Sequence, residues 1–505
     1  MKILFCLSNG NCQYILETSS KLINNKKIKI SYFVSEKLSI NNDRSLINFS
    51  KKNNIKIFRF KNNNNDLNNI DYKYLEYVDK NFNLNLWKSI SIDRDYGRAY
   101  IQDLDGLKSR FISKKQIIIS AIEKIKYIEK MLSNLKPNVF FWPAVVASIE
   151  APIFDNICKK KKIKFLTPVS FRIKNYFYFA KDIYNSYPNL DLYFRKTQIP
   201  KNKRKLIDKF YKDIQSPGRL SSDSEYVSKA LKKLNFNFFN SLNVLLIFSF
   251  KHIIAFILFK LNLKIRKLSF HKRYELIAPI IEKFDLLKSH HLLKKYKYNN
   301  LNCDYVYYPL HRTPESSTQL NGNTYMDQLF LIQSLSKNIP INCKLLIKEH
   351  PSMIEAHSRG VNFYKEISSL PNVEIVDYRI PGSEIVKRAK LVVILDGSSA
   401  IEAIIKGVPV LTMANFIYSF LGLSIENINL SNLNNDIVKA INLKKIRTKI
   451  REKKLKKLIY LILNKGFDLR EPDTFYYMIQ QTSKKSIKIT GEDLYNALIS
   501  ELKLK

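Results

Sequence analysis

Leu391–Val410 reads LVVILDGSSAIEAIIKGVPV, and this stretch decides the fold. Leu391–Leu395 is a continuous apolar run, the pattern of a strand buried on both faces. Asp396-Gly397-Ser398-Ser399 follows, and Ala400–Lys406 then has the composition of a helix. Gly407 is a helix stop, and Val408–Thr412 is the next strand. Strand, helix and strand in this order imply a right-handed crossover and a parallel sheet.

The same alternation extends outward. Upstream, Tyr305–Leu310 (YVYYPL) reads as a strand and Tyr325–Leu335 as a helix. Lys344–Lys348 (KLLIK) is a strand that runs into Glu349-His350-Pro351. Val373–Asp377 is another strand, and Ser383–Ala389 a short helix with Ser383 as its N-cap. In the N-terminal half, Met1–Leu7, Ile28–Ser35, Ile55–Phe60, Pro137–Pro143 and Ile163–Thr167 read as strands. Gln116–Leu132 and Ala151–Lys160 read as helices, the first with apolar residues at three- and four-residue steps. The predicted class is α/β, with two Rossmann-like domains. Their expected extents are 1–195 and 301–440, separated by a basic helical insertion or linker at 196–300 and followed by a helical segment at 441–505.

Composition bounds the partners. The 505 residues include 85 Lys+Arg against 44 Asp+Glu, a formal charge of +41. Such a surface attracts phosphate, whether in a nucleotide, an anionic lipid or a nucleic acid. Heavy use of Lys, Asn and Ile, as in Lys61–Ile70 (KNNNNDLNNI), is also what an AT-rich coding bias produces, and no tail or stripe concentrates the charge. No helix-turn-helix, RNP-like or zinc signature supports nucleic-acid binding. Five cysteines with no C-x-x-C pair fit a reducing compartment and speak against a disulfide framework or structural zinc. Met1–Leu7 lacks the long apolar region of a signal peptide. Leu242–Phe259 is apolar but carries Lys251 and His252 at its middle. A mid-bilayer Lys costs roughly 2.5–3.5 kcal/mol. The run therefore reads as a buried or interfacial helix, and Lys260, Lys264, Arg266 and Lys267 beside it suit an anionic membrane face.

Two motifs carry chemistry. At Gly397-Ser398-Ser399 a strand ends and a helix begins, so free N–H groups and the positive helix end favour an anion. Gly397 permits close backbone approach, the two serines add hydroxyl donors, and Glu402 is placed to accept from ribose hydroxyls. The alternative is that Ser398 only caps the helix. Pro351 disfavours helix at His350 and holds that imidazole at the end of a strand in the same sheet. Ligands of open α/β sheets gather at that edge. Arg172, after the strand Ile163–Thr167, offers a fork for carboxylate or phosphate, or is a surface Arg in a basic chain.

In these motifs the segment 300–415 resembles the capsule polysaccharide synthesis family and the related bacterial sialyltransferases and Kdo transferases. The matching pieces are KEHP (Lys348–Pro351), DGSSAIEA (Asp396–Ala403) and KGVPV (Lys406–Val410), together with PLHRTPESST at Pro309–Thr318. The resemblance implies a GT-B architecture with two Rossmann-like domains facing a cleft. It also implies a CMP-activated sugar donor, and a donor site that includes His311, Glu315, Lys348, His350, Pro351, Gly397, Ser398, Ser399 and Glu402. It implies a carboxylate base in the N-terminal domain, for which Asp93 and Asp95 in DRDYGR (Asp93–Arg98) are the leading candidates and Asp103 and Asp105 the others. It calls for no metal and no cofactor. The implied acceptor is a growing polysaccharide or lipid-linked glycan, handled in the cytoplasm at the inner face of the plasma membrane. CDP-glycerol glycerophosphotransferases share the His-Pro and Ser-Ser pair, and sugar-nucleotide epimerases share the architecture, so the motifs leave these alternatives open beside a nucleic-acid-binding protein.

Overall fold

The structure is a computed structural model that describes residues 1–35, 38–60, 70–93, 114–143, 148–184, 187–216, 286–313, 316–322, 325–356, 359–414, 416–427, 429–443, 448–471 and 483–504, with positions 254, 257 and 261. The chain divides into two units. The first comprises Met1–Ser89, Ile118–Ser221 and Glu452–Lys505, and the second Ile90–Ile117 and Ser222–Arg451.

In the first unit, β1 (Lys2–Leu7), β2 (Lys29–Val34), β3 (Lys56–Arg59), β4 (Val139–Phe141) and β5 (Lys164–Ser170) form parallel pairs. β6 (Tyr176–Ala180) is antiparallel to β5, and a short strand at Phe467–Asp468 pairs antiparallel with β6. From the β6 side the order is β6-β5-β4-β1-β2-β3. The chain therefore runs outward from β1 in one direction, then returns to β1's other side at β4. The apolar strands anticipated from sequence lie here, because β1, β2 and β4 are buried almost throughout.

The C-terminal segment completes this unit. The helix Lys484–Leu502 packs on the helix Cys12–Leu22, and its Leu494 and Leu498 enter the core with Ile15 and Phe5. Gly491 makes the approach possible, since a Cβ there would meet Glu17 Cβ at 2.6 Å and the Tyr14 carbonyl oxygen at 3.1 Å. Thr18 Oγ1 donates to the Gly491 carbonyl at 3.1 Å. Apolar spacing alone does not say which domain a terminal helix will cover, so the reading of 441–505 as a separate helical segment did not place it. The strand at Phe467–Asp468 also interrupts what reads as continuous helix.

In the second unit, β7 (Tyr305–Pro309), β8 (Lys344–Lys348), β9 (Val373–Ile375), β10 (Leu391–Ile394), β11 (Val410–Thr412) and β12 (Ile425–Glu426) form one parallel sheet in the order β12-β11-β10-β7-β8-β9. The fold class is α/β with two Rossmann-like units, as read from the sequence. The helix Ser398–Lys406 ends at Gly407, which has φ 77°. One cap differs from expectation. The helix Gly382–Arg388 has Pro381 as its N-cap with no side-chain cap bond, so Ser383 lies inside the first turn. A proline with extended ψ enters the helix directly, and the helix starts before the serine.

Among the described residues, no helix is long and apolar enough to cross a membrane. Leu242–Phe259 lies outside them, apart from Ile254 and Ile257.

Candidate functional site

β7 lies between β10 and β8, so three neighbouring strands deliver their following residues to one edge. β8 delivers Glu349 and His350, β7 delivers His311, Arg312 and Thr313, and β10 delivers Asp396 and Gly397. His350 and the Ser398-Ser399 turn are thus two strand spacings apart, roughly 9–10 Å. The residue between them is His311. Its Nε2 accepts the Asp396 backbone N–H at 3.4 Å, which leaves the ring proton on Nδ1.

Gly397 is the N-cap of the helix Ser398–Lys406, and no side-chain hydrogen bond caps that end. Ser398 is the first helical residue rather than the cap, so its hydroxyl is not used to close the helix start. A Cβ at Gly397 would meet Ile394 Cδ1 at 2.8 Å and His311 Nε2 at 3.7 Å. The contact that a side chain here would strain is the one with Ile394, while His311 would lie at ordinary van der Waals distance. Asn321 Nδ2 donates to Asp396 Oδ2 at 3.5 Å.

His350 precedes Pro351, the first residue of the helix Pro351–Ala356, and its carbonyl accepts from Met353 N at 2.9 Å. Burial pushes the His350 imidazole down to about 3, and repulsion from a protonated His311 and from Arg312 and Arg359 adds to this. His350 as a residue is half-buried. Cations crowding a neutral imidazole describe a place that wants an anion.

Beneath this edge is a buried polar network. Arg359 and Glu349 pair at 2.7 Å, with 5% and 1% side-chain exposure. Tyr364 OH donates to Glu349 Oε2 at 2.5 Å, and the His350 N–H donates to Glu349 Oε1 at 2.6 Å. Arg359 also donates to the His311 carbonyl, and to Thr313 Oγ1 at 3.4 Å. Gln328 accepts from His311 N at 2.8 Å and from Tyr308 OH at 3.2 Å, and donates to Thr313 Oγ1 at 2.6 Å and His311 O at 3.1 Å. The segment carrying His311 and the one carrying His350 are therefore braced by the same ion pair.

Other anticipated residues stand apart from the edge. Lys348 is buried, and its Nζ donates to the carbonyls of Tyr378, at 3.1 Å, and Ile380. Burial lowers it to about 8, against an upward pull from Asp377. It anchors the loop after β9. Glu402 is buried and pairs with Lys406 at 2.5 Å, and Lys406 Nζ also reaches the Ser383 carbonyl at 3.2 Å. That carboxylate faces a helix contact rather than solvent. Arg172 is in the first unit, at φ 58° in the turn between β5 and β6, with its N–H on Ser170 Oγ at 2.7 Å. Asp93 is buried at the end of the helix Leu86–Ile92 and falls with the second unit. Asp95, Asp103, Asp105 and Glu315 lie outside the described residues.

Sequence reasoning missed Arg359, Gln328, Thr313 and Tyr364. One signal was available: Glu349 follows a buried strand, and a buried carboxylate requires a cation or donors. Arg359, ten positions on, is that cation.

The segment 271–459 matches the model of the capsule polysaccharide biosynthesis protein family. The matching segment contains the whole edge just described, from His311 to Ser399. Among curated proteins, none matches the chain in sequence. Several solved structures are similar at low identity. The KpsC β-Kdo 2,7 transferase of Thermosulfurimonas dismutans is 11% identical, covers 77% of this chain and 97% of its own, and has a TM-score of 0.31. The UDP-GlcNAc 2-epimerase of Methanocaldococcus jannaschii, solved with UDP-GlcNAc and UDP, is 14% identical, covers 91% and 100%, and has a TM-score of 0.28. A glycosyltransferase of Rickettsia africae is 11% identical, covers 100% and 99%, and has a TM-score of 0.29. Superpositions this loose carry no argument about activity.

Proposed function

We propose that the protein is a glycosyltransferase of surface-polysaccharide synthesis, capsule or lipopolysaccharide. It moves a sugar from a nucleotide donor, CMP-activated, to a glycan or lipid-linked acceptor. The observation that carries this reading is the edge where His350, His311 and the uncapped Gly397–Ser399 helix start meet within a capsule-synthesis segment. Such an arrangement suits a nucleotide phosphate.

The step is a displacement at the anomeric carbon. A carboxylate, Asp93 or Asp95, takes the proton of the acceptor hydroxyl. The acceptor oxygen forms a bond to the anomeric carbon as the bond from that carbon to the phosphate oxygen breaks. CMP leaves with the bonding pair. His350, Ser398, Ser399 and the helix N–H groups offset the charge that grows on the phosphate. The work takes place in the cytoplasm, with the protein peripheral on the inner face of the plasma membrane.

A titration panel of CMP, CDP, UDP and GDP tests the donor class. The reading expects CMP to bind most tightly of the monophosphate and diphosphate probes. Absence of binding to all four, with a salt-sensitive gel shift on DNA or RNA that CMP does not compete, contradicts it in favour of a nucleic-acid-binding protein.

A further inference from the structure

The first unit carries a surface whose charge the fold does not use. After the helix Leu190–Lys196 the chain reads TQIPKNKRK over Thr197–Lys205 and enters the helix Arg204–Gln215. Lys201, Lys203, Arg204 and Lys205 are exposed. Lys209 and Lys212, also exposed, follow Lys205 at four- and three-residue steps, opposite the buried Ile207, Tyr211 and Ile214. The helix has two acids, and both are taken from elsewhere: Asp208 by Lys456 at 2.6 Å and Asp213 by Lys174. Among the described residues, none of the six cations has an ion pair of its own.

Their placement also runs against the helix. Lys203 is the N-cap and makes no side-chain cap bond, and the first turn holds Arg204 and Lys205 but no acid. Helix starts favour acids and disfavour cations. The isolated protein is therefore destabilised by these charges, and a partner of opposite sign is what would use them.

Apolar groups sit among the cations. Leu206, next to Lys205, is 52% exposed, and Leu192 and Tyr193 on the preceding helix are 46% and 39% exposed. Two neighbouring lysines join the two helices. Lys457 Nζ donates to the Arg195 carbonyl at 3.1 Å and lies 4.8 Å from the Phe194 ring centre. Lys456, paired with Asp208, lies 5.5 Å from the Tyr211 ring centre. Both helices thus flank one segment, and Leu192, Tyr193, Leu206 and the basic run share one region of the surface.

We infer that this region docks on an anionic bilayer. The cations face lipid phosphates, the leucines enter the boundary between headgroups and acyl chains, and Tyr193 lies at the headgroup level. Nucleic acid would use the cations but offers nothing to the exposed leucines. The region is distinct in sequence from Leu242–Lys267, the stretch read toward lipid from its composition. The inference rests on the function proposed above in one respect: that reading puts the protein at the inner face of a membrane, and this names the surface that meets it.

The full chain is sedimented with vesicles of phosphatidylcholine alone and of phosphatidylcholine mixed with phosphatidylglycerol. Binding is expected to the mixed vesicles, and salt should weaken it. Lys201→Glu, Lys203→Glu, Arg204→Glu and Lys205→Glu together should weaken it about a hundredfold or more, since each basic residue near an anionic surface contributes about fivefold. That variant should melt no lower than wild type, because it places acids at the helix start. Lys26→Glu, Lys27→Glu, Lys51→Glu and Lys52→Glu together change the net charge equally elsewhere on the unit and should cost far less. Leu192→Ser with Leu206→Ser should weaken binding about tenfold. Equal binding to both vesicle types, unchanged binding in the first variant, or equal losses in the two charge-reversed variants overturns the inference. Absence of vesicle binding by wild type overturns it together with the peripheral placement, and an RNA gel shift that the first four substitutions abolish would then assign the surface to nucleic acid. CMP titration of the same samples keeps the donor site separate, because loss of CMP binding with vesicle binding intact counts against that site only.

Discussion

In the second unit, the backbone after β7 is held from several sides at once. Gln328 takes both its N–H and its carbonyl, and Arg359 reaches the same carbonyl from the Glu349 ion pair. In the first unit, the backbone after β1 is held by two side-chain amides, Asn11 Oδ1 on the Ser8 N–H and Asn42 Nδ2 on the Asn9 carbonyl, and the Asn11 NH2 group is left over. The two sheets share a class and a connection rule but differ in what completes their ligand edges. One is prewired by the protein, so a ligand finds fixed donors. The other leaves the Asn11 NH2 group and the Trp142 indole N–H without a hydrogen-bond partner. Rigid positioning suits the leaving phosphate, where misplacement is costly in rate.

The sharpest way to break this contrast is to unwire the second edge. Arg359→Met strands the Glu349 carboxylate in the core and should cost about 3–5 kcal/mol in denaturant unfolding. Adding Glu349→Leu should recover much of that loss. A single variant as stable as wild type removes the bracing role.

Gln328→Leu comes next. It abandons four hydrogen bonds, leaves His311 N–H and Thr313 unpaired on that side, and should cost about 1–3 kcal/mol. Asn11→Leu abandons one and should cost clearly less in the ligand-free protein. Equal losses from the two would erase the difference between the edges.

Gly397→Ala tests close approach rather than backbone strain, because its φ of 175° is open to any residue. The added methyl meets Ile394 Cδ1, so overpacking of about 1–3 kcal/mol is expected together with weaker CMP binding. Ile394→Val, which removes that carbon, should restore part of both. Failure of the rescue points away from this contact.

A further effect is in pH. His350 has a lower pKa folded than unfolded, so the folded protein binds fewer protons. Its contribution to stability is present above the unfolded value of about 6.5 and is lost as pH falls toward about 3. A bound phosphate raises the His350 pKa, so CMP binding takes up protons and strengthens on acidification. Calorimetry in buffers of different ionisation enthalpy reads that uptake. His350→Asn should abolish it.

Much of the second unit was legible because its strands are continuous apolar runs and its helix ends carry Gly or Pro. His350-Pro351 and Gly397-Ser398-Ser399 were readable as strand-end residues for the same reason. Their meeting through His311 was not, because strand order is a property of the sheet and β7 inserts between β10 and β8. Arg359 and Gln328 were invisible because a buried Arg or Gln looks, in sequence, like any surface one. Lys348 and Glu402 were read toward the ligand although the fold uses both internally. The C-terminal return to the first unit depends on a glycine, Gly491, whose neighbour is some 470 residues away in sequence.

The central claim is that His350 and the Ser398-Ser399 helix start bind one nucleotide phosphate. CMP titration calorimetry of wild type, His350→Ala, Ser398→Ala with Ser399→Ala, and the triple variant, beside thermal melts of the same samples, tests it most directly. The account predicts that His350→Ala weakens CMP about ten- to a hundredfold at nearly unchanged melting temperature, from a charge-assisted bond worth roughly 1.5–3 kcal/mol. It predicts a smaller loss for the double serine variant, whose backbone N–H groups remain, and a triple variant that departs from additivity. Lower melting temperatures with unchanged CMP affinity in the folded fraction would contradict it, and would make His350 a packed ring and the serines part of the helix alone.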